Sequence, residues 1–176
     1  MTTQAPKPRP SVGVSVAVIN PKGEVLFSKR KGSHGAGTWQ FPGGHLEHGR
    51  TPLECAQDEV QEETGLLVTG VKIVTLTNDI FEAEGKHYVT LFAKCTMNDP
   101  DAVPEASFAC TLLGDCSLTV AQHKEKDKCE GWEWWSWDKF FSGKETGVAE
   151  SNELFLPLKN LLKEFNTVDE LKAAFQ

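Results

Sequence analysis

Apolar and polar positions change period several times along the chain, and each change marks an element. Val12–Ile19 is valine-rich and alternates in part, which predicts a buried strand; after the turn chemistry of Pro21-Lys22-Gly23, Glu24–Lys29 returns as a second. From Arg30 to Gly49 the pattern dissolves into glycines with His, Ser and Pro, predicting a loop of about 20 residues. Loops that long inside compact domains usually carry function. Order resumes at Thr51-Pro52-Leu53-Glu54, a capping box with proline at the first helical position, and Gly65 stands where a C′ glycine belongs. A helix is therefore predicted over about Pro52 to Thr64. Val71–Thr77 and His87–Cys95 read as strands flanking a loop that contains Asn78 and Asp79. Trp132–Trp137 reads as a strand burying alternate tryptophans, and Leu154–Phe165 and Val168–Phe175 as helices. The stretch Asn98–Glu130 takes no assignment from its pattern.

Composition narrows the class. The 176 residues make one domain, with a flexible tail over 1–11, a single domain over 12–176 and an unassigned insertion near 98–128. A formal charge of -7, from 18 basic against 25 acidic residues, argues against a nonspecific binder of nucleic-acid polymer or anionic membrane. No apolar run approaches a membrane span, and the N-terminus lacks the apolar core of a signal peptide. The five cysteines are odd in number and form no CxxC pair, so they read as free thiols in a reducing compartment, cytoplasmic or nuclear.

Chemistry concentrates on the predicted helix. Glu59, Glu62 and Glu63 share one arc of it, and Asp58 lies four residues before Glu62. Such pairs repel by a few tenths of a kcal/mol each, and the last turn adds the negative end of the helix dipole. Mg²⁺ removes the conflict, because it takes carboxylate oxygens together with substrate phosphates. A solvated acidic face is the bland alternative for these carboxylates taken alone.

The stretch Gly44–Leu66 resembles the Nudix box, G-x5-E-x7-R-E-U-x-E-E-x-G-U, where U is a bulky apolar residue. Gly44, Glu59, Val60, Glu62, Glu63, Gly65 and Leu66 match at the family's spacing. Arg50 stands at the family's first glutamate and Asp58 at its arginine. Ser28–Ser33, Gly35–Glu47, His87-Tyr88-Val89-Thr90 and Cys129–Trp134 further resemble a small eukaryotic Nudix branch. Its members hydrolyse nucleoside triphosphates, including modified ones, and plant relatives act on terpenyl diphosphates.

The resemblance implies an α/β fold, a Nudix-like α/β/α sandwich with a mixed sheet and a loop-helix-loop Nudix box. It implies a Mg²⁺ site, with Mn²⁺ as a substitute, formed by Glu59, Glu62, Glu63 and the Gly43 carbonyl. Glu62 or Glu63 would position or deprotonate the attacking water. Arg30 becomes a candidate phosphate clamp, since its planar fork suits phosphate oxygens; the alternative is a solvated strand end. His45, Trp39 and Thr90 become candidate substrate contacts, with local hydrogen bonding for His45 and core packing for Trp39 left open. His34 lies in the same glycine loop, where an aromatic ring can stack on a base.

The resulting expectation is Mg²⁺-dependent hydrolysis of a diphosphate linkage in a nucleoside triphosphate or related nucleoside diphosphate derivative, releasing a monophosphate. The alternatives are a terpenyl diphosphate hydrolase and a degenerate module binding nucleotide or protein without turnover. The partner implied is a small-molecule diphosphate; no motif reads oligomeric state, and a homodimer is compatible with the sequence.

Overall fold

The computed structural model describes residues 8–31, 34–105, 129–145 and 154–176. Seven strands form one mixed sheet: β1 (Ser11–Ile19), β2 (Val25–Arg30), β3 (Trp39–Gln40), β4 (Gly43–His45), β5 (Val68–Phe81), β6 (Lys86–Met97) and β7 (Cys129–Trp135). The main order is β3-β2-β1-β6-β5, with β4 added to β1 and β7 to β2. β1 and β6 run parallel, from Ser11 opposite Tyr88 to Ile19 opposite Thr96, and the other pairs are antiparallel. Among the described residues there are four helices: α1 (Pro52–Thr64), α2 (Trp137–Glu145), α3 (Leu156–Lys163) and α4 (Val168–Phe175).

The twofold alternation of β1 divides the interior. Val14, Val16 and Val18 point to the face covered by α1, where they meet Cys55, Ala56, Val60 and Leu66. Ala17 points to the other face, with Phe27, Phe41 and Phe92 and with the buried leucines of α3 and α4. Helices thus cover both faces, as the sandwich expectation requires. Phe27 is stacked on Trp135 at 4.5 Å and meets Phe41 edge-on at 4.7 Å. Fully burying a side chain of this kind contributes about 1.5–3 kcal/mol.

α1 has the ends its sequence predicts. The Thr51 hydroxyl accepts from the Glu54 N–H and the Glu54 carboxylate accepts from the Thr51 N–H, while Gly65 closes the helix at φ 72°.

Three expectations change. The stretch Arg30–Gly49 is not structureless, because β3 and β4 lie inside it; both are too short for periodicity to register. Asn78 and Asp79 belong to a continuous β5 rather than a loop, since Thr77 and Asp79 pair with Thr90 and Tyr88 of β6. The tryptophan strand ends at Trp135 and Trp137 already opens α2. Trp132 and Trp134 pack toward α1, whereas Trp135 and Trp137 pack on the opposite face. Most of the sequence insertion, 106–128, lies outside the described residues, as do 1–7 of the tail. Among the described residues, no helix is long and apolar enough to cross a membrane.

Candidate active site

β4 brings the glycine loop against the carboxylate helix. Its register on β1 places His45 opposite Gly13, Gly44 opposite Val14 and Gly43 opposite Ser15. From there the Gly43 N–H donates to the Glu63 carboxylate at 3.0 Å. A Cβ on Gly44 would collide with the Glu59 carboxylate, and one on Gly43 with the Val14 carbonyl. At Gly43, where the obstacle is backbone, only glycine lets the chain lie this close to β1.

The end of α1 is held from a second side. The Trp132 indole N–H of β7 donates to the Glu63 carbonyl at 3.2 Å, and the Thr64 hydroxyl donates to the Val60 carbonyl. The Trp132 bond satisfies one of the carbonyls that a helix terminus leaves without intrahelical partners. The carboxylate turn is therefore fixed in position by the sheet.

Next to Glu63 opens a cleft of about 320 Å³, within the range of small-molecule sites. Arg30 lies in its wall, with Nε donating to the His34 carbonyl at 3.0 Å and a terminal nitrogen donating to the Gln40 side chain. Its guanidinium sits 4.3 Å from the centre of the Phe155 ring. Burial draws the Arg30 pKa below its ordinary value, opposed by the nearby Glu63 charge and Tyr88. His34 packs on Phe81 at 4.5 Å and edge-on to Phe155 at 5.4 Å. Burial, then the charges of Lys86 and Arg30, lower its pKa as well. The neutral ring is the favoured form in this apolar corner.

His45 shares a 3.0 Å hydrogen bond between its Nε2 and the Tyr88 hydroxyl, and its carbonyl accepts from the Cys55 thiol at 3.2 Å. Thr90 lies at the base of the cleft opposite Gly13. Arg30, Gly43, His45, Glu63 and Thr90 thus line one cleft. Glu59 abuts its glycine edge, and Glu62 is exposed on the same helix. Trp39 is placed elsewhere. Its ring packs on Trp135 at 4.7 Å against the main core, which corresponds to the core alternative and not to a cleft contact.

Tyr88, Phe81 and Phe155 in the cleft wall carried no role from the sequence. Tyr88 was findable, because on a strand it shares a face with Thr90 two residues on. Phe155 carried no such signal, since it precedes the helix that follows it.

Among the described residues, no group of three or more His, Cys, Asp or Glu side chains is drawn tightly enough together to hold a metal. The donors nevertheless fit a hard cation. Glu59 and Glu63 flank the Gly43-Gly44 backbone, and Mg²⁺ commonly uses only one or two carboxylates plus substrate phosphate. Arg50 and Asp58, the two departures from the box, form an ion pair with each other.

A family model for the NUDIX domain matches residues 9–158. The chain belongs to the NUDIX domain family. Its fold is shared by solved structures of low identity. The MutT protein from Methanosarcina mazei Go1 superposes with a TM-score of 0.61 at 20% identity, covering 95% of this chain and 98% of that one. A MutT NUDIX hydrolase from Burkholderia pseudomallei gives 0.58 at 23%, covering 74% and 86%. A NUDIX hydrolase from Nitrosomonas europaea gives 0.59 at 18%, covering 89% and 87%. Family membership supports a hydrolase of pyrophosphate linkages in general, acting on a small molecule through a divalent metal ion. The carboxylate helix and its glycine strand are this Nudix chain's box.

Proposed function

We propose that this Nudix protein hydrolyses the diphosphate linkage of a nucleoside triphosphate, or a related nucleoside diphosphate derivative, with Mg²⁺ or Mn²⁺ as cofactor. One observation carries the reading. The Glu63 carboxylate, tied to the Gly43 N–H, stands at the mouth of a cleft that also holds Arg30 and an aromatic wall.

Glu59, Glu62, Glu63 and the Gly43 carbonyl would hold the metal, which supplies charge neutralisation and an acidified water when bound. Glu62 or Glu63 accepts the proton of the attacking water. Water adds at one phosphorus, the bridging P–O bond breaks, and a nucleoside monophosphate and pyrophosphate leave. Arg30 binds phosphate oxygens through the terminal nitrogen not engaged by Gln40. Its other bonds and its seat over Phe155 preorganise the fork. His45 and Tyr88 form a polar rim, while Phe81, His34 and Phe155 provide faces on which a heterocycle stacks.

The motifs outside the box, such as His87-Tyr88-Val89-Thr90, favour the small eukaryotic branch and its nucleotide substrates. A second reading rests on the same apolar wall: Phe81, Phe155 and Leu158 also suit a terpenyl chain. The test is release of phosphate or pyrophosphate from a panel of nucleoside triphosphates and prenyl diphosphates, with Mg²⁺, with Mn²⁺ and with chelator. Metal-dependent turnover of a nucleotide supports the first reading. Turnover confined to prenyl diphosphates would replace it, and nucleotide binding with no turnover would leave a binding module.

A further inference from the structure

Asp79 is completely buried near the end of β5, the last strand of the main sheet order, and the proposed reaction gives it no task. Among the described residues three side chains donate to it, and none of the three is cationic. The Thr77 hydroxyl donates to Oδ2 at 2.9 Å, the Thr90 hydroxyl to the same oxygen at 2.6 Å, and the Asn160 amide to Oδ1 at 2.8 Å. The Asn160 amide is itself oriented, because its oxygen accepts from the Lys163 ammonium at 3.0 Å. Its nitrogen must therefore face Asp79.

We propose that Asp79 is a positioning residue that fixes the hydrogen-bond direction of Thr90, so that the base of the cleft selects a heterocycle presenting an N–H donor. This rests on the nucleotide reading above and specifies its substrate class. A carboxylate accepts and does not donate, so the single hydroxyl proton of Thr90 is committed to Asp79. What Thr90 offers the cleft is lone pairs alone. Gly13, opposite Thr90, keeps that oxygen accessible: a Cβ there would lie 3.8 Å from it, in van der Waals contact. A ligand that meets this oxygen with an N–H completes a bond; one that meets it with a carbonyl or bare ring nitrogen leaves two acceptors facing each other.

Asp79→Asn reverses the direction without changing the shape. Its oxygen still accepts from Asn160, while its new NH2 group donates to both threonine hydroxyls. Thr90 then carries a proton free to donate to the ligand. The experiment measures kcat and KM for three pairs of triphosphates, each differing by one N–H donor group. They are GTP against ITP, ATP against purine riboside triphosphate, and ITP against its N1-methyl derivative. In the wild type, at least one pair should favour the donor-bearing member by about tenfold in KM, with kcat alike within about twofold, as expected for one hydrogen bond. Asp79→Asn should remove or reverse that preference by raising KM for the donor-bearing member only. Thr90→Val should abolish it, and Thr90→Ser should restore most of it.

A merely structural Asp79 would raise KM for both members of a pair equally, which would overturn the proposal. Nucleotide turnover without discrimination in any pair would overturn it too, while leaving the nucleotide reading intact. Absence of turnover or binding with every nucleotide would end both. Circular dichroism checks the fold; if Asp79→Asn fails to fold, Thr90→Val decides, and discrimination that survives it refutes the proposal.

Discussion

The ion pair between Arg50 and Asp58 allows a quantitative test, because it couples the two positions where the chain departs from its family's box. The perturbation is a double-mutant cycle with Arg50→Glu, Asp58→Arg and both together. The two side chains are 39% and 48% exposed, which places the pair in the solvent-screened regime, worth about 0.2–1 kcal/mol. For a domain of this size that is a Tm change of roughly 1–4 °C. Each single reversal sets two like charges side by side, so both should melt lower. The double variant restores an attractive pair and should recover most of the loss. In Arg50→Glu turnover should fall as well, since an unbalanced Asp58 stands one turn before Glu62 and repels it by a few tenths of a kcal/mol. Thermal melting at low salt measures the coupling. Repetition in 1 M salt, where the Debye length is about 3 Å, should reduce it to near zero. Additive stability effects at low salt, or a coupling indifferent to 1 M salt, would refute the reasoning.

Glu63→Gln should reduce metal-dependent turnover by at least about a hundredfold while circular dichroism stays unchanged, because the amide can still accept from Gly43; turnover near wild type would remove Glu63 from the chemistry. Saturating Mg²⁺ should raise the Tm and chelator should return it, since a ligand bound only by the folded state stabilises it; an unchanged melt, also with nucleotide present, would contradict the metal assignment. Burial pushes the Cys95 thiol up to about 12, so at pH 8 alkylation followed by mass spectrometry should label half-buried Cys129 well before Cys95, with Cys95 reacting only in denaturant. Rapid native labelling of Cys95 would contradict its placement in the core.

Sequence and structure agree where the information is local. The capping box, the proline and Gly65 delimit α1 to the residue, because each signal acts within a single turn of chain. β1 and β2 were legible from valine-rich runs for the same reason. The carboxylates were readable as a group because helical spacing alone puts them on one arc. β3 and β4 were not, since two- and three-residue strands exist only through partners elsewhere in the chain. Asn78-Asp79 has turn chemistry by composition, and tertiary pairing with β6 overrides it. Trp39 shows the same limit in the site: a tryptophan in a glycine loop can face a ligand or the core, and only Trp135, far along the chain, decides it. The Arg50–Asp58 contact needed the loop to curl back on the helix, which no periodicity encodes.

The parallel pairing of β1 with β6 has a consequence for how the molecule reaches its working form. Ser11 must find Tyr88, and Gly13 must find Thr90, across a long intervening stretch of chain. Contacts so distant in sequence are slow to close, because loop entropy is lost before any strand contact is gained. The same pairing lines the cleft with Gly13 and Thr90 and packs Val16 and Ala93 into the core on the opposite face, against α1. A slip of one residue would exchange those two sets of side chains wholesale. A misregistered chain therefore cannot retain a usable cleft. In refolding from denaturant, catalytic competence should return with the slowest recovery of tryptophan fluorescence and never ahead of it, making turnover a stringent reporter of correct strand register.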